Sequence, residues 1–254
     1  KRQVVSRVTR MDIQKLYRTL KHEGRVREHP EHGHELSDTM VLRIHAMLHR
    51  CLKDAEAAHV VARNPTDGAV VPKANHRPKQ ILTKEQMDIF LAAVDRSEIW
   101  RDFFYTELTT GLRRGEICGL MWQDFDEKAG TLKVLRSVNV PKAGELEIGE
   151  TKTSQGRRTI RLPPSTVQRL RDRKQHAVSQ WIFPEPLAPE KPVRPSAAYY
   201  WMKRILREAG LPAIRFHDLR HTFATHALTS GVDAKTLSGI LGHTNASFTL
   251  DTYT

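Results

Sequence analysis

His217 and Arg220 are the first pair of side chains whose types and spacing indicate chemistry. They lie three residues apart in FHDLRH, at the start of a predicted helix, so their side chains point the same way. A guanidinium offers a planar fork of donors that matches two phosphate oxygens, and an imidazole beside it can donate to a third oxygen or move a proton. The pair therefore indicates an edge that grips phosphate, and a solvated polar face is the alternative.

Arg113 is the second candidate and lies in TGLRRGE, residues 110–116. Gly111 predicts the end of one helix, and the residues after it predict the start of another. A backbone turn there would hold Arg113, while Glu116 would orient it through a carboxylate contact. The alternative is an ordinary surface arginine with an i,i+3 ion pair.

Lys152 lies in ETKTSQGRRTI, between two predicted strands. At the tip of a hairpin its ammonium would reach into a groove and protonate a departing oxygen. Lysines in hairpin loops are usually only solvated, so the residue type and its position leave both interpretations open.

His243 and Tyr253 lie close to the end of the chain. His243 follows Gly242 at a predicted helix end, and Tyr253 comes ten residues later. A phenol with a pKa of about 10 is a poor nucleophile at neutral pH. Cationic donors around a phosphate would make it useful, because they stabilise the phenolate and the transition state. A packing role is the alternative for a tyrosine near a chain end.

Helices dominate the elements that must position these residues. Apolar residues recur at helical intervals over residues 12–23 and in the long run after Ser37, which can cap a helix. Thr83 and Gln86 form a capping-box pattern ahead of another amphipathic run. Further helices are predicted at residues 99–110, 165–178, 196–209, 217–230 and 234–241, and a final short helix is predicted to carry Tyr253.

Residues 131–161 change character and predict a small antiparallel sheet. The short runs TLKVLRSVNV, GELEIGE and RRTIRL show partial alternation and are separated by turns that contain Gly and Pro. Upstream, the basic segment 64–80 contains three prolines, interrupts the helical pattern and marks the best domain boundary. We therefore predict a mostly α fold with a small antiparallel β-sheet, divided into residues 1–72 and 73–254.

The composition favours a nucleic acid as partner. The 254 residues include 41 Lys plus Arg against 29 Asp plus Glu, a formal net charge of +12. Cations that neutralise phosphates release condensed counterions, although a solvated basic surface is the alternative.

Two isolated cysteines, Cys51 and Cys118, give no disulfide framework and favour a reducing cytoplasm. No apolar run reaches the roughly 18 residues of a membrane span.

In this order and at this spacing, the motifs resemble those of the tyrosine recombinase, or phage integrase, family. The family pattern is an Arg in a TGLR-like turn, a Lys in a β-hairpin, His-x-x-Arg, a His or Trp in an LGH-like turn, and a later Tyr. The LTKEQ opening and LRHTFATHALTSGVD match as well, and the resemblance spans residues 80–254. The sequence looks most similar to integrases of phages and conjugative transposons.

The resemblance assigns a role to each candidate. It implies Tyr253 as nucleophile, Arg113 and Arg220 on the non-bridging phosphate oxygens, His243 as a further donor, Lys152 as the proton donor to the leaving 5′-oxygen, and His217 for the tyrosine proton or for phosphate positioning. Lys142 lies in the same region as Lys152 and is the alternative lysine. A 3′-phosphotyrosine would store the bond energy, so no ATP, metal or other cofactor is implied.

The resemblance also implies a two-domain DNA clamp. Residues 1–72 would form a helical core DNA-binding domain, and residues 73–254 an α+β catalytic domain. The implied activity is site-specific recombination that integrates or excises a mobile element in a bacterial cytoplasm, without a membrane. The implied partners are double-stranded DNA at specific sites, a Holliday junction, a tetramer of this chain, and accessory DNA-bending or excision factors.

Three other functions compete with this interpretation. A type IB topoisomerase-like enzyme would use similar chemistry but would not depend on two defined sites. A catalytically silent DNA-binding protein on the same fold would have lost a catalytic residue, and none of the six is missing. A basic RNA-binding protein would need stacking platforms, and only 7% of the residues are aromatic.

Overall fold

The computed structural model divides the chain into two compact units, Lys1–Pro78 and Lys79–Thr254. The structure describes residues 4–30, 32–73, 80–95, 97, 100–141, 144–150, 156–242 and 249. Both units are built mainly from helices, as the amphipathic runs of the sequence predict. In the part of the chain that is described, no helix combines the length and apolar character needed to cross a membrane.

The N-terminal unit packs helix α1 (Arg10–Glu23) against helix α2 (Asp38–Ala57). Thr9 opens α1 with a capping box, and the Ser37 side chain accepts a hydrogen bond from an amide in the first turn of α2, which confirms the predicted cap. Buried side chains from both helices form its small core: Ile13, Tyr17, Val41 and Leu52.

The described helices of the C-terminal unit are α3 (Lys84–Val94), α4 (Arg101–Thr110), α5 (Arg114–Cys118), α6 (Pro164–Gln175), α7 (Pro195–Glu208), α8 (Phe216–Thr229) and α9 (Ala234–Leu241). Each predicted helix in the described part is confirmed to within about one turn, the scatter expected at helix ends. Thr83 and Gln86 form the predicted capping box at the start of α3. Pro164 and Pro195 stand in the first turns of α6 and α7, where a missing amide hydrogen costs no hydrogen bond.

The strands of the C-terminal unit are short and antiparallel. They are β1 (Phe125–Asp126), β2 (Thr131–Val134), β3 (Arg136–Asn139), β4 (Glu147–Glu150), β5 (Arg158–Arg161), β6 (Pro184–Glu185) and β7 (Ala188–Pro192). Among the described residues they form three sheets, in the orders β1-β2-β5, β3-β4 and β6-β7. The predicted antiparallel pairing is confirmed, but residues 131–161 contribute to two sheets rather than one.

Local alternation could not reveal this division, because the partner of a strand is chosen by tertiary packing. Strand β2 pairs with β5 over a buried face that includes Leu132 and Ile160, whereas β3 pairs with β4, where Ile148 is exposed. Strands β6 and β7 also have no predictive pattern, because Pro184 and Pro192 argue against strands.

Helix α4 runs through the middle of the C-terminal core. Phe103 and Phe104 of α4 meet Trp100 and Phe216 with ring centroids 5.3–6.4 Å apart. Such tilted and edge-on contacts are favoured by the quadrupoles of the rings. The packing fixes α4 firmly, and with it the turn at Gly111 that follows.

Candidate active site

The turn at Gly111 links the buried helix α4 to the short helix α5. Gly111 has φ +59° and ψ +32°, a left-handed conformation that favours glycine. A Cβ atom at this position would lie only 2.3 Å from Phe223 Cδ1 and 3.1 Å from Leu241 Cδ2. The glycine therefore serves two purposes: it reverses the chain, and it allows α8 and α9 to approach the turn.

Arg113 is held at the start of α5 by Glu116, as predicted. The Arg113 amide donates to Glu116 Oε2 at 3.0 Å, and Arg113 Nη1 donates to Oε1 at 2.7 Å. Arg113 Nη2 also donates to the carbonyl of Gly242 at 3.2 Å. The Arg113 side chain remains 42% exposed, so the guanidinium is fixed in direction and still open to solvent.

Arg220 is far more buried than a phosphate-gripping edge at the surface would suggest. It is 1% exposed, and it lies within the folded unit rather than on a solvated face of α8. Its Nη1 donates to the carbonyl of Gly111 at 2.8 Å, and its Nη2 donates to the carbonyl of Leu241 at 2.7 Å. These bonds tie α8 to the Gly111 turn and to the end of α9.

Arg158 also belongs to this site, although the sequence did not single it out. Its Nη1 and Nη2 donate to Glu116 Oε1 and Oε2 at 3.2 and 2.8 Å, and its Nε donates to the carbonyl of Ile240 at 2.5 Å. A signal was available: residues two apart in a strand share a face, and Ile160 in β5 is buried.

Three arginines from three different elements thus meet at the C-terminal end of α9. Arg158, Arg220 and Arg113 donate to the consecutive carbonyls of Ile240, Leu241 and Gly242, in that order. The last carbonyls of a helix lack partners within the helix and carry the negative end of its dipole. Cations are therefore well placed there, and they fix the point from which the chain continues to His243.

His217 lies in the first turn of α8, where a capping interaction between Arg215 and Asp218 holds the helix start. Its ring is perpendicular to that of His221, with centroids 4.8 Å apart. Desolvation of the part of the ring that faces the protein lowers the pKa of His217, and the charges of Arg220 and Arg113 lower it further. Arg113, His217 and Arg220 therefore lie close enough to influence one another.

The remaining predicted site residues, Lys152, His243 and Tyr253, and the alternative Lys142, lie outside the described residues. The strands on either side of Lys152 are described: β4 ends at Glu150, and β5 begins at Arg158. Among the described residues these two strands pair in different sheets, β4 with β3 and β5 with β2, whereas the sequence suggests a hairpin between them. Within the described part, no group of three His, Cys, Asp or Glu side chains could hold a metal ion.

Comparisons with known proteins agree on one family. Residues 80–254 match the family model described as Phage integrase family. A tyrosine recombinase XerC-like protein of Caldanaerobacter subterraneus subsp. tengcongensis is 30% identical over 174 residues, which cover 59% of this chain and 44% of the relative. The ICEBs1 integrase of Bacillus subtilis is 25% identical over 236 residues, or 86% of this chain and 62% of the relative. The chain therefore spans less than two thirds of either relative.

The fold has a counterpart among solved structures. The Tn1549 transposon integrase, solved in complex with a circular intermediate DNA, superposes with a TM-score of 0.83 at 23% identity. The match covers 98% of this chain and 82% of the solved chain. This likeness identifies the mostly helical fold with small antiparallel sheets.

Proposed function

Because the chain belongs to the phage integrase family, we propose that it is a site-specific DNA recombinase. It cuts and rejoins DNA strands through a 3′-phosphotyrosine intermediate, and it integrates or excises a mobile element. Double-stranded DNA is the substrate, and the reaction needs neither ATP nor a metal, because the covalent bond to Tyr253 stores the energy of the phosphodiester.

The observation that carries this proposal is the excess of positive charge at the end of α9. Arg113, Arg158 and Arg220 meet there, and Glu116 is the ionised carboxylate bonded to two of them. Burial raises the pKa of the nearby Glu107 well above its ordinary value, which disfavours a second charged carboxylate beside the arginines. Such a site favours an anion with several oxygens, and a scissile phosphate is the anion that this family's chemistry provides.

The described residues suit distinct steps of the reaction. Arg113 is oriented and exposed, so its guanidinium can hold a non-bridging phosphate oxygen. The role of Arg220 on a second oxygen rests on the His-x-x-Arg motif. His217 is neutral at pH 7 because its pKa is lowered, and a neutral imidazole has one nitrogen that accepts a proton. It can therefore take the proton of the attacking tyrosine.

The other roles rest on the sequence motifs. Tyr253 attacks the phosphate, His243 donates to a non-bridging oxygen, and Lys152 protonates the 5′-oxygen that leaves. The 5′-hydroxyl of a second cut strand then attacks the phosphotyrosine and gives its proton back to Lys152. The bond between phosphorus and Tyr253 breaks, and the departing phenolate recovers its proton from His217. Strands are thereby exchanged through a Holliday junction.

We assign DNA binding to both units. Residues 1–72 act as a helical core DNA-binding domain, and residues 73–254 as the catalytic domain of a clamp around the duplex. Four copies of the chain assemble on two sites, with accessory DNA-bending or excision factors that set direction, in the cytoplasm of a bacterium. The net charge of +12 supports binding to the phosphate backbone.

Covalent trapping tests the proposal. A duplex that carries the joined ends of the mobile element, nicked beside the cut position, releases a short fragment after cleavage and leaves the enzyme attached. We expect a protein–DNA band that survives denaturation, in EDTA and without ATP. Tyr253→Phe abolishes the band, whereas Tyr200→Phe, which alters an exposed tyrosine of α7, retains it.

Each other outcome contradicts a specific part of the proposal. A band that persists in Tyr253→Phe assigns the nucleophile to another residue. Tight DNA binding without a band favours a binding protein on the same fold. Relaxation of supercoiled DNA that lacks the sites favours a topoisomerase-like enzyme.

A further inference from the structure

Arg158 differs from Arg113 in how its guanidinium is used. Each of its three nitrogens donates to a protein acceptor: Nε to Ile240, Nη1 to Glu116 and Gly156, and Nη2 to Glu116. The side chain is 7% exposed, against 42% for Arg113. Every nitrogen of Arg158 is therefore occupied by an acceptor within the protein, and these acceptors belong to the turns and helix ends that form the site.

We propose that Arg158 is a positioning residue. It fixes the end of α9 to the Arg113–Glu116 pair and thereby sets the point from which the chain continues to His243. The inference rests on the proposed recombinase activity and adds to it a residue outside the six motif positions. Through one guanidinium, Arg158 links three elements that are distant in sequence: β5, α5 and α9.

Helix α9 needs such an anchor. It contains eight residues, and a helix of that length is not stable by itself in water. Leu237 and Leu241 anchor one face by packing against Ala224. That apolar contact leaves the terminal carbonyls to be satisfied, and Arg158 takes the first of the three carbonyls that the arginines share.

An arginine is required because the acceptors lie in different directions. A planar guanidinium can bond to both oxygens of Glu116 through its Nη atoms and to a carbonyl through Nε at the same time. A lysine ammonium is a point charge on a flexible stem, so it can neutralise Glu116 but cannot also hold Ile240 in place.

Two variants and a matched control test this role. Arg158→Gln removes the charge and the fork, and Arg158→Lys keeps the charge, so that Glu116 stays paired and the unit folds. Arg161→Gln removes the same charge from an exposed position of the same strand. Amide hydrogen exchange of the α9 segment is measured for all three proteins without DNA, together with the melting temperature.

For both Arg158 variants we expect faster amide exchange in α9, while the rest of the unit keeps the exchange protection of the wild type. For Arg161→Gln we expect no change. Cleavage is then measured in a single turnover at saturating nicked duplex. Because a misplacement of about 1 Å can slow an enzyme about 100-fold, we expect a loss of that order in Arg158→Gln with unchanged DNA affinity. Arg158→Lys recovers part of the rate.

A substrate with a methylphosphonate at the cut position separates positioning from direct catalysis. The methylphosphonate linkage carries no negative charge, so an arginine that neutralises a phosphate oxygen becomes less necessary for cleavage. We expect Arg113→Gln to cleave this substrate with a smaller defect than it shows on the normal duplex. Arg158→Gln should retain its full defect, because its fault lies in geometry.

Unchanged exchange in α9 overturns the anchoring role, and a wild-type cleavage rate in Arg158→Gln overturns the catalytic consequence. A rescue of Arg158→Gln by the methylphosphonate makes Arg158 a phosphate contact instead. If the wild-type protein itself does not cleave, the proposed function fails and the effect on the rate fails with it, whereas the exchange data still decide the anchor.

Discussion

Two buried glutamates lie on either side of the Gly111 turn, and their surroundings have opposite effects. Glu107 is in the last turns of α4 and Glu116 is in α5, and both are almost completely buried. Burial alone would raise the pKa of Glu116, but hydrogen bonds and charge from Arg158 and Arg113 outweigh it and lower the pKa. For Glu107, burial prevails over the attraction of Arg220, and its pKa is raised well above the ordinary value.

The difference lies in hydrogen bonds rather than in depth. Glu116 accepts from the Arg113 amide and from two guanidiniums. Neither side-chain oxygen of Glu107 has a hydrogen-bond partner among the described residues. A charged carboxylate cannot persist in that setting, whereas a neutral one can. The contrast explains how hydrogen bonds from Arg113 and Arg158 keep Glu116 ionised at this depth, and the resulting ion pair fixes the orientation of Arg113.

The strongest test of the comparison removes the paired carboxylate. In Glu116→Gln, the buried Arg158 and the amide of Arg113 lose their charged acceptor. Breaking one partner of a buried pair costs about 3–5 kcal/mol, so we expect the free energy of unfolding to fall by that order in urea titrations. Glu127→Gln removes the partner of Arg171 in a far more exposed pair and should cost about 0–1 kcal/mol. Equal effects in the two variants would contradict the special role of Glu116.

The turn between the two glutamates is the next most sensitive position. Gly111→Ala places an alanine in the left-handed conformation, which costs about 1–2 kcal/mol, and adds a methyl group to a filled space, which typically costs about 1–3 kcal/mol more. Gly210→Ala is the matched control, because Gly210 has φ +66° and no atom within 4 Å of an added Cβ. The difference between their unfolding free energies measures the close packing of Phe223 on the turn. A difference near zero would show that the turn needs conformational freedom only.

Local rules account for the parts of this site that the sequence predicted correctly. Gly111 and Gly242 end their helices in the left-handed conformation, and Arg113 pairs with Glu116 three residues later. Each of these features depends on residues within one helical turn, so spacing and residue type suffice. The same holds for the capping box at Thr83, which marks the start of α3.

Contacts across long sequence separations could not be predicted in this way. Arg220 bonds to Gly111, which is 109 positions away, and Arg158 bonds to Ile240, 82 positions away. Nothing near either arginine specifies those acceptors. Glu107 would be assigned to a solvent-facing side of α4 from its charge, yet α4 is enclosed by other elements, and the pKa shift follows from that enclosure.

The pH dependence of stability tests the neutral state of Glu107. A carboxyl with a raised pKa in the fold keeps its proton, while the unfolded chain releases it above about pH 4.5. The folded state then binds more protons, so this group lowers the free energy of unfolding as pH rises, by about 1.4 kcal/mol per pH unit, until the folded pKa is reached. The penalty is absent below the unfolded pKa.

Glu107→Gln cannot ionise and should remove this slope. Urea titrations from pH 4 to pH 8 should give the variant a stability that increases relative to the wild type as pH rises through the acidic range. The size of the buried amide does not affect this slope, which makes the result independent of packing changes. Parallel curves for the two proteins would mean that Glu107 is ionised in the fold.

The smallest expected effect concerns the two thiols, and it tests whether water reaches the surroundings of Glu107. Burial raises the pKa of the Cys118 thiol, which lies near Glu107, whereas Cys51 is exposed. Because the thiolate is the reactive form, a disulfide-exchange reagent should modify one thiol per native chain and two in denaturant. Cys51→Ser should remove the reaction of the native protein. Rapid modification of Cys118 in that variant would mean that the surroundings of Glu107 open to solvent. The difference in pKa between the two glutamates would then be smaller than their burial implies.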